Sequence, residues 1–235
     1  SNLSFGKCLS IESNNLHLFK EVKDQKIQEL EIKIKNSRAW IINTLKIKGR
    51  KDPRILKKHK KKFKAEINFR YKDYICYFKG KIRITGDFKD HIHVKKTKII
   101  SSLKVELKEN GSVYGFTEFK LFNPISRHSE NEIIHTSLLR NLNLLAPRSY
   151  FVNVKFLGNK FQMIMQEGFA KELLESMGRI EAPIFEGDET FSKNYFDNLK
   201  LNGNNNNDKF LEKCYIAGCL KTISYSRLIN SKWSS

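Results

Sequence analysis

Two arginines in this sequence stand where a phosphate-binding residue could lie. Arg83 comes shortly before Gly86, and a glycine at the end of a strand lets the backbone approach an anion closely. Arg127 precedes the acidic start of a predicted helix, so its guanidinium is placed either to meet an anion or to pair with those carboxylates. The ordinary alternative for each arginine is a surface side chain without a ligand.

Two further groups contain histidine, aspartate or cysteine side chains, which are residue types that can bind metals. His91 and His93 are two residues apart and have Asp87 and Asp90 beside them, but no distal ligand set accompanies them. The four cysteines are too few and too widely spaced for a disulfide scaffold. The last two have no second ligand pair nearby, so we interpret them as buried or free thiols rather than zinc ligands: Cys214 and Cys219. We therefore predict no metal held by protein side chains alone.

A basic run occupies residues 57–62, with the sequence Lys-Lys-His-Lys-Lys-Lys. Such a run is most often a solvated helix face or loop, but with neighbouring aromatic residues it can bind nucleic acid or an acidic polymer. The aromatic residues that follow alternate along a predicted strand, so they are either a stacking surface or part of the core: Phe63, Phe69, Tyr71 and Tyr74.

The composition favours anionic partners. Lys and Arg number 44 against 25 Asp and Glu, which gives a formal net charge of +19. Nucleotides, nucleic acid, acidic glycans and lipid head groups all fit this charge. Hydrophobic residues make up 40% of the 235 positions, enough for one large domain or two small lobes. No stretch approaches the roughly 20 consecutive apolar residues of a membrane-spanning helix, so we predict no transmembrane segment.

The elements that must position these side chains are predicted from hydrophobic periodicity. Residues 16–47 combine features of helix and strand, whereas residues 63–122 alternate as a series of antiparallel strands. A helix, a hairpin and a second helix are predicted to follow at residues 129–145, 150–165 and 167–177. Ser129 and Glu132 have the spacing of a capping box at the start of the first helix.

A set of short motifs, distributed along residues 81–186, supports a more specific interpretation. In chain order they are Ile82-Arg83-Ile84-Thr85-Gly86-Asp87, Ser102-Leu103-Lys104-Val105, Phe119-Lys120-Leu121, Arg127 with Glu130 or Glu132, Leu138-Leu139-Arg140, Phe151-Val152-Asn153-Val154, Gly158-Asn159, Gln166-Glu167 and Lys171-Glu172-Leu173-Leu174-Glu175. Their order and spacing resemble the amino-terminal part of the spore-coat CotH family of atypical, protein-kinase-like proteins.

The resemblance implies an α+β, kinase-like fold, in which an antiparallel sheet lobe with a helix leads into the start of a helical lobe. It also implies ATP with Mg or Mn as cofactors, a nucleotide and a protein substrate as partners, and phosphorylation of Ser or Thr hydroxyls. The corresponding domains are a basic extension of mixed helix and strand at 1–62, an amino-terminal lobe at 63–166 and an incomplete carboxy-terminal lobe at 167–235.

In a kinase-like lobe, a strand lysine holds nucleotide phosphates and pairs with a glutamate on the next helix. The resemblance assigns these roles to Lys104 and Glu130, with Glu132 as the alternative partner, and it places the backbone near Glu167 at an adenine-binding hinge. The implied cofactor-binding residues are Lys104, Glu130, Arg83, Arg127 and Glu167.

The family's catalytic aspartate, its neighbouring asparagine and its metal-binding aspartate have no recognisable counterparts after Asp188. Because phosphoryl transfer needs a positioned base and metal ions, we predict a partial chain without kinase activity. The alternative function, from another class, is a basic non-catalytic module that binds nucleic acid or an acidic polymer. Its binding would weaken steeply with salt.

Overall fold

The computed structural model describes residues 7–10, 16–17, 26–95, 98–109, 111–187 and 220–222. Within them lie three α-helices, namely α1 (Ser37–Lys48), α2 (Glu130–Asn141) and α3 (Lys171–Glu175). The strands in the same residues are β1 (Lys7–Ser10), β2 (Leu16–His17), β3 (Glu29–Ile34), β4 (Phe63–Arg70), β5 (Tyr74–Ile84), β6 (Ile92–Lys95), β7 (Lys98–Ser101), β8 (Leu103–Leu107), β9 (Glu118–Phe122), β10 (Ser149–Phe156), β11 (Asn159–Glu167), β12 (Phe185–Gly187) and β13 (Leu220–Thr222).

The chain divides into two compact units, Ser1–Gly168 and Phe169–Ser235. The described part of the second unit contains α3 and the antiparallel pair β12–β13, in which Glu186 lies opposite Lys221. The first unit contains the remaining described elements. No helix among the described residues combines the length and the hydropathy that crossing a membrane would need.

Seven strands of the first unit close into a barrel. Their order is β5-β4-β3-β10-β11-β9-β8, and β8 pairs back with β5 to complete the ring. All neighbours are antiparallel except β3 and β10, which run parallel. The long strand β5 makes closure possible, because its last part, Gly80 to Ile84, pairs with β8 while its first part pairs with β1. Closure leaves the seven strands without an open edge in the ring.

The barrel interior is a packed apolar core. Along each strand every second side chain points inward, and small barrels are filled by those side chains. The ring of Phe69 contacts those of Phe78 and Phe119 edge-on, with centroid separations of 5.7 and 5.9 Å. Other inward residues have no exposed surface: Leu30, Ile67, Ile82, Leu103, Val105 and Leu121. On β4, β5, β8 and β9 the charged residues therefore alternate onto the outer face.

Helix α1 covers the barrel end where β10 finishes and β4 begins. Asn36 caps it by accepting a hydrogen bond from the backbone N of Ala39 at 3.0 Å. Trp40 is fully buried, and its ring contacts Phe63 at 5.1 Å and Phe156 at 5.8 Å. This indole fixes the helix on the barrel.

A disulfide links β1 to the barrel. Cys8 lies directly opposite Cys76 of β5, and the two sulfurs are bonded. Their separation of 68 residues gives no signal in the sequence, since the pairing depends on the β1–β5 register. The covalent bond fixes β1 to the part of β5 that extends beyond the ring.

The predicted kinase-like fold is wrong. The described residues form mostly sheet, with a closed seven-strand barrel and three helices, rather than an open sheet lobe followed by a helical lobe. Alternation along a strand looks the same in an open sheet and in a closed barrel, so local pattern could not distinguish them. The distinction depends on long-range pairings such as β5–β8 and β3–β10. The helix predicted at 167–177 is shorter in the structure, where α3 spans Lys171–Glu175 and Glu167 still belongs to β11.

Most individual elements are confirmed. Strands β4, β8 and β9, helix α2 and the β10–β11 hairpin lie where the periodicity predicts them. The ambiguous segment 16–47 contains both β3 and all of α1 except its last residue, which explains why the segment showed features of strand and of helix. The proposed capping box is wrong, because the Ser129 side chain makes no cap hydrogen bond. The predicted core residues Val154, Met163 and Met165 are buried, whereas Phe151 is half-buried on the outer face.

Candidate functional site

Three cations form a row on the outer face of the barrel. Arg83 on β5 lies opposite Lys104 on β8, and Lys104 lies opposite Lys120 on β9. Their side chains face outward because the flanking residues on each strand are buried in the core. Neighbouring strands are about 4.8 Å apart, so the row, here called the basic row, concentrates positive charge over three strands.

Lys104 is paired within the sheet. Its Nζ lies 3.0 and 2.9 Å from the two carboxylate oxygens of Glu118, and both side chains are largely shielded from solvent. The expected ion pair with Glu130 or Glu132 is therefore wrong. Glu118 on the adjacent strand is within reach, whereas Glu132 accepts a hydrogen bond from Gln166 Nε2 at 2.6 Å.

Arg127 extends the positive surface beyond the strands. It ends a short 3-10 helix, Pro124–Arg127, and its guanidinium carbon lies 4.2 Å from the ring centroid of Phe122. Lys120 Nζ approaches the same ring at 5.9 Å. A cation over an aromatic ring is attracted by the ring quadrupole. Phe122 therefore holds Arg127 next to the end of the basic row.

The Arg127 guanidinium is only weakly engaged by carboxylate. Its NH1 lies 4.0 Å from Glu132 Oε2, beyond hydrogen-bond distance, and its Nε is buried without a hydrogen-bond partner. Asn123, which directly follows β9, likewise has a buried donor without a hydrogen-bond partner, its Nδ2. Two hydrogen-bond donors close in sequence are thus left without acceptors.

His91 is connected to this region through Ser102. Its Nδ1 lies 3.0 Å from Ser102 Oγ, which also accepts a hydrogen bond from the backbone N of Asn123 at 3.1 Å. Burial lowers the pKa of His91, although Asp90 and Asp87 act in the opposite direction. Gly86 is required here, since a Cβ would come within 1.9 Å of the His91 ring.

Among the described residues no three side chains form a metal-binding group.

Two predicted site residues lie away from the basic row. Glu130 is the exposed first residue of α2. Glu167 is buried on the inner side of β11, while its neighbour Gln166 faces outward beside Lys120. Arg148 binds Glu167 with two guanidinium hydrogen bonds of 3.0 and 2.8 Å. The backbone N of Glu167 is also engaged, since it donates to Arg148 O.

The lysine run continues the positive surface on the other side of Arg83. Lys60 pairs with Asp87 and Lys62 with Glu106, each at 2.8 Å, while other lysines of the run are exposed. Phe69 and Tyr71 are buried in the barrel, so these two belong to the core and not to a stacking surface, while Phe63 and Tyr74 are half-buried. The run therefore offers charge without stacking.

The outer face is positive overall. Lys64 lies directly opposite Lys81 across β4 and β5, and like charges at such positions repel each other. On the four strands β4, β5, β8 and β9, cations outnumber carboxylates by seven to three: Lys64, Arg70, Lys79, Lys81, Arg83, Lys104 and Lys120 against Glu66, Glu106 and Glu118. An anionic group would relieve this repulsion.

Sequence reasoning missed Lys120 and Asn123. Lys120 alternates with buried Phe119 and Leu121, and so looks like any surface lysine. Only the register of β8 and β9 places it beside Lys104. Asn123 precedes Pro124 and resembles a turn residue, a role that its Oδ1 fulfils by accepting from Ile125 N at 3.3 Å.

The cysteine pair predicted to be thiols, Cys214 and Cys219, lies outside the described residues. The CotH resemblance stays a prediction. No protein-family model matches the chain, and no curated protein does.

Proposed function

We propose that this chain is a non-catalytic module that binds an anionic polymer on the outer face of its barrel. The observation that supports this most strongly is the basic row, which is continuous across three hydrogen-bonded strands and is extended at one end by Arg127. The lysine run 57–62 lies beside its other end, because Lys62 directly precedes Phe63, which pairs with Ile82.

The geometry suits a long ligand better than a small one. The barrel interior is packed with apolar side chains, so the charged groups are displayed on a surface. Cations spaced along a surface each replace condensed counterions when a polyanion binds, which makes the affinity depend on salt. Four contacts to a single-stranded nucleic acid correspond to a slope of about −3 in a plot of log affinity against log salt concentration.

The kinase hypothesis has less support. It depended on a pair between Lys104 and Glu130 or Glu132 and on a hinge at Glu167, and these residues have other partners or positions. We expect the purified chain, incubated with labelled ATP, Mg or Mn and a generic protein substrate, to incorporate no more label than a Lys104→Ala control. Incorporation above that control would favour the kinase hypothesis.

The binding test is fluorescence anisotropy with labelled single-stranded oligonucleotide, polyphosphate and heparin, each titrated at several salt concentrations. The double variant Lys120→Gln/Arg127→Gln removes two charges beside Phe122. It should weaken polymer binding about tenfold or more, because every phosphate contact that is removed also removes the counterion release that favours binding.

The matched control is Lys26→Gln/Lys72→Gln, which removes the same charge from exposed lysines near the other end of β3 and β4. Its affinity should stay close to that of the parent chain. Equal losses in the two double variants would show that only net charge matters, and salt-independent binding would contradict the proposal itself.

A further inference from the structure

Two residues with buried donors stand at the two ends of the short 3-10 helix that follows β9, Asn123 as its N-cap and Arg127 as its last residue. Asn123 is 3% exposed and its Nδ2 has no hydrogen-bond partner, and the Nε of Arg127 is likewise buried and unpartnered. Folded proteins leave few buried polar atoms unpaired, and each exception calls for an explanation such as a water or a bound ion. Both atoms donate and neither accepts, so the missing group is an acceptor.

The hydrogen bond from Ile125 fixes the orientation of the Asn123 side-chain amide. Its Oδ1 accepts from Ile125 N at 3.3 Å, and its backbone N donates to Ser102 Oγ at 3.1 Å. Exchanging the amide oxygen and nitrogen would set Nδ2 against another N–H donor. The unpartnered atom is therefore the NH₂ group.

The surrounding charge favours an anion over a neutral acceptor. Arg127 and Lys120 both approach the ring of Phe122, and Lys120 adjoins the rest of the basic row. The nearest carboxylate to Arg127 is that of Glu132, which stands 4.0 Å from NH1 and is already bonded to Gln166. The guanidinium thus keeps donor capacity for another ligand.

We propose that Lys120, Asn123 and Arg127 form a seat for one phosphate group, which makes the polymer of the proposed function a phosphate-bearing one. This inference rests on that proposed function. The donors come from a strand, from the end of that strand and from the following helical turn. A phosphate presents several oxygens in different directions and accepts strong hydrogen bonds from charged donors, which suits this arrangement.

The probe is inorganic phosphate, titrated into ¹⁵N-labelled chain at constant ionic strength, with acetate titrated in parallel. The Nε–H signal of Arg127 and the NH₂ signals of Asn123 should shift with phosphate and should move much less with acetate. Absence of these shifts, or equal shifts with both anions, would overturn the phosphate seat.

Two conservative variants test the donors. Arg127→Lys keeps the charge but removes Nε, and should weaken phosphate binding about tenfold, as expected for losing a hydrogen bond to a charged group. Asn123→Asp keeps an acceptor for Ile125 N and replaces the donor by a carboxylate oxygen. The control Arg38→Lys makes the same exchange at an exposed position on α1 and should leave phosphate binding unchanged.

If Asn123→Asp fails to fold, as judged by circular dichroism, the phosphate affinity of Arg127→Lys alone tests the seat. Unchanged phosphate affinity in Arg127→Lys contradicts the seat. A parent chain that binds polymers with strong salt dependence but does not respond to phosphate would retain the proposed function without the seat. Oligonucleotides with and without a 5′-phosphate separate a terminal phosphate from an internal one.

Discussion

Arg148 and Arg127 have the same kinds of neighbour but differ in how fully those neighbours engage them. Arg148 lies 4.4 Å from the ring of Phe116 and binds both carboxylate oxygens of Glu167. Arg127 lies 4.2 Å from the ring of Phe122, yet its nearest carboxylate is 4.0 Å away and its Nε is unpartnered. One arginine has its carboxylate partner at hydrogen-bond distance, and the other does not.

The difference comes from the elements that supply the carboxylates. Arg148 directly precedes β10, and the register that sets Ser149 against Gln166 brings Arg148 opposite Glu167. Glu132, in contrast, belongs to a helix and is held by Gln166. Adjacent strands therefore build a complete ion pair at Arg148, while a helix and a short turn leave the one at Arg127 incomplete.

The largest expected effect comes from breaking the pair between Arg148 and Glu167. Arg148→Met should lower the free energy of unfolding by about 3–5 kcal/mol, because it leaves the Glu167 carboxylate buried without its cation. Urea denaturation followed by circular dichroism measures this. The matched variant is Arg127→Met, for which we expect a change within about 1 kcal/mol because the side chain is partly exposed and loosely paired. Equal destabilisation by the two variants would contradict the comparison.

The reverse order should hold for ligand binding. Arg127→Met should weaken polymer binding about tenfold, because it removes a cation and a donor at the end of the basic row. Arg148 faces Glu167 rather than the outer face, so a variant there should bind normally wherever it is folded. Anisotropy titrations near 10 °C, where a destabilised variant stays folded, measure both affinities. Loss of binding in Arg148→Met alone would reverse the assignment.

Alkaline pH should weaken the Arg148 region. Burial raises the pKa of Tyr150, and Tyr114, whose ring lies 5.8 Å away, has a raised pKa for the same reason. A raised pKa in the folded state means that the folded chain holds the proton more tightly. The stability this contributes is present below the unfolded value of about 10 and is lost as the pH rises above it. The free energy of unfolding should fall less steeply above pH 10 in Tyr150→Phe.

Acid pH should act on the Arg127 region and have the smallest effect. Burial lowers the pKa of His91, and the charges of Arg127 and Lys60 act in the same direction while those of Asp90 and Asp87 oppose it. The folded chain therefore binds the His91 proton less tightly than the unfolded chain. The corresponding stability is present above about pH 6.5 and is lost as the pH falls below it. Denaturation of His91→Gln should show a weaker pH dependence, and an unchanged profile would contradict this.

Local features of the fold were predictable because local forces set them. The alternation that ends in Tyr71 predicted β4, and the spacing of Ile134, Leu138 and Leu142 predicted α2. The glycine at Gly158 predicted the hairpin, where its φ of +76° is a conformation that glycine adopts easily. Barrel closure was not predictable in this way, because the β5–β8 and β3–β10 pairings join segments far apart in the chain.

The candidate site was predictable in part for the same reason. Arg83, Lys104 and Arg127 were selected from sequence, and the structure brings them to one surface. Glu130 and Glu167 were selected with them but lie elsewhere. Glu130 is at the exposed start of α2, and Glu167 is on the inner face because a one-residue step along β11 moves a side chain from one face to the other.

The sequence by itself determined the large positive charge and the alternation that sends lysines and arginines to one side of each strand. Only the tertiary structure decided which of those cations became neighbours, because strand register aligns Arg83, Lys104 and Lys120. It also decided that Arg148 reaches a carboxylate at hydrogen-bond distance and that Arg127 does not. Cross-strand neighbours are fixed by hydrogen bonding between distant segments, and no pattern within a single segment contains that information.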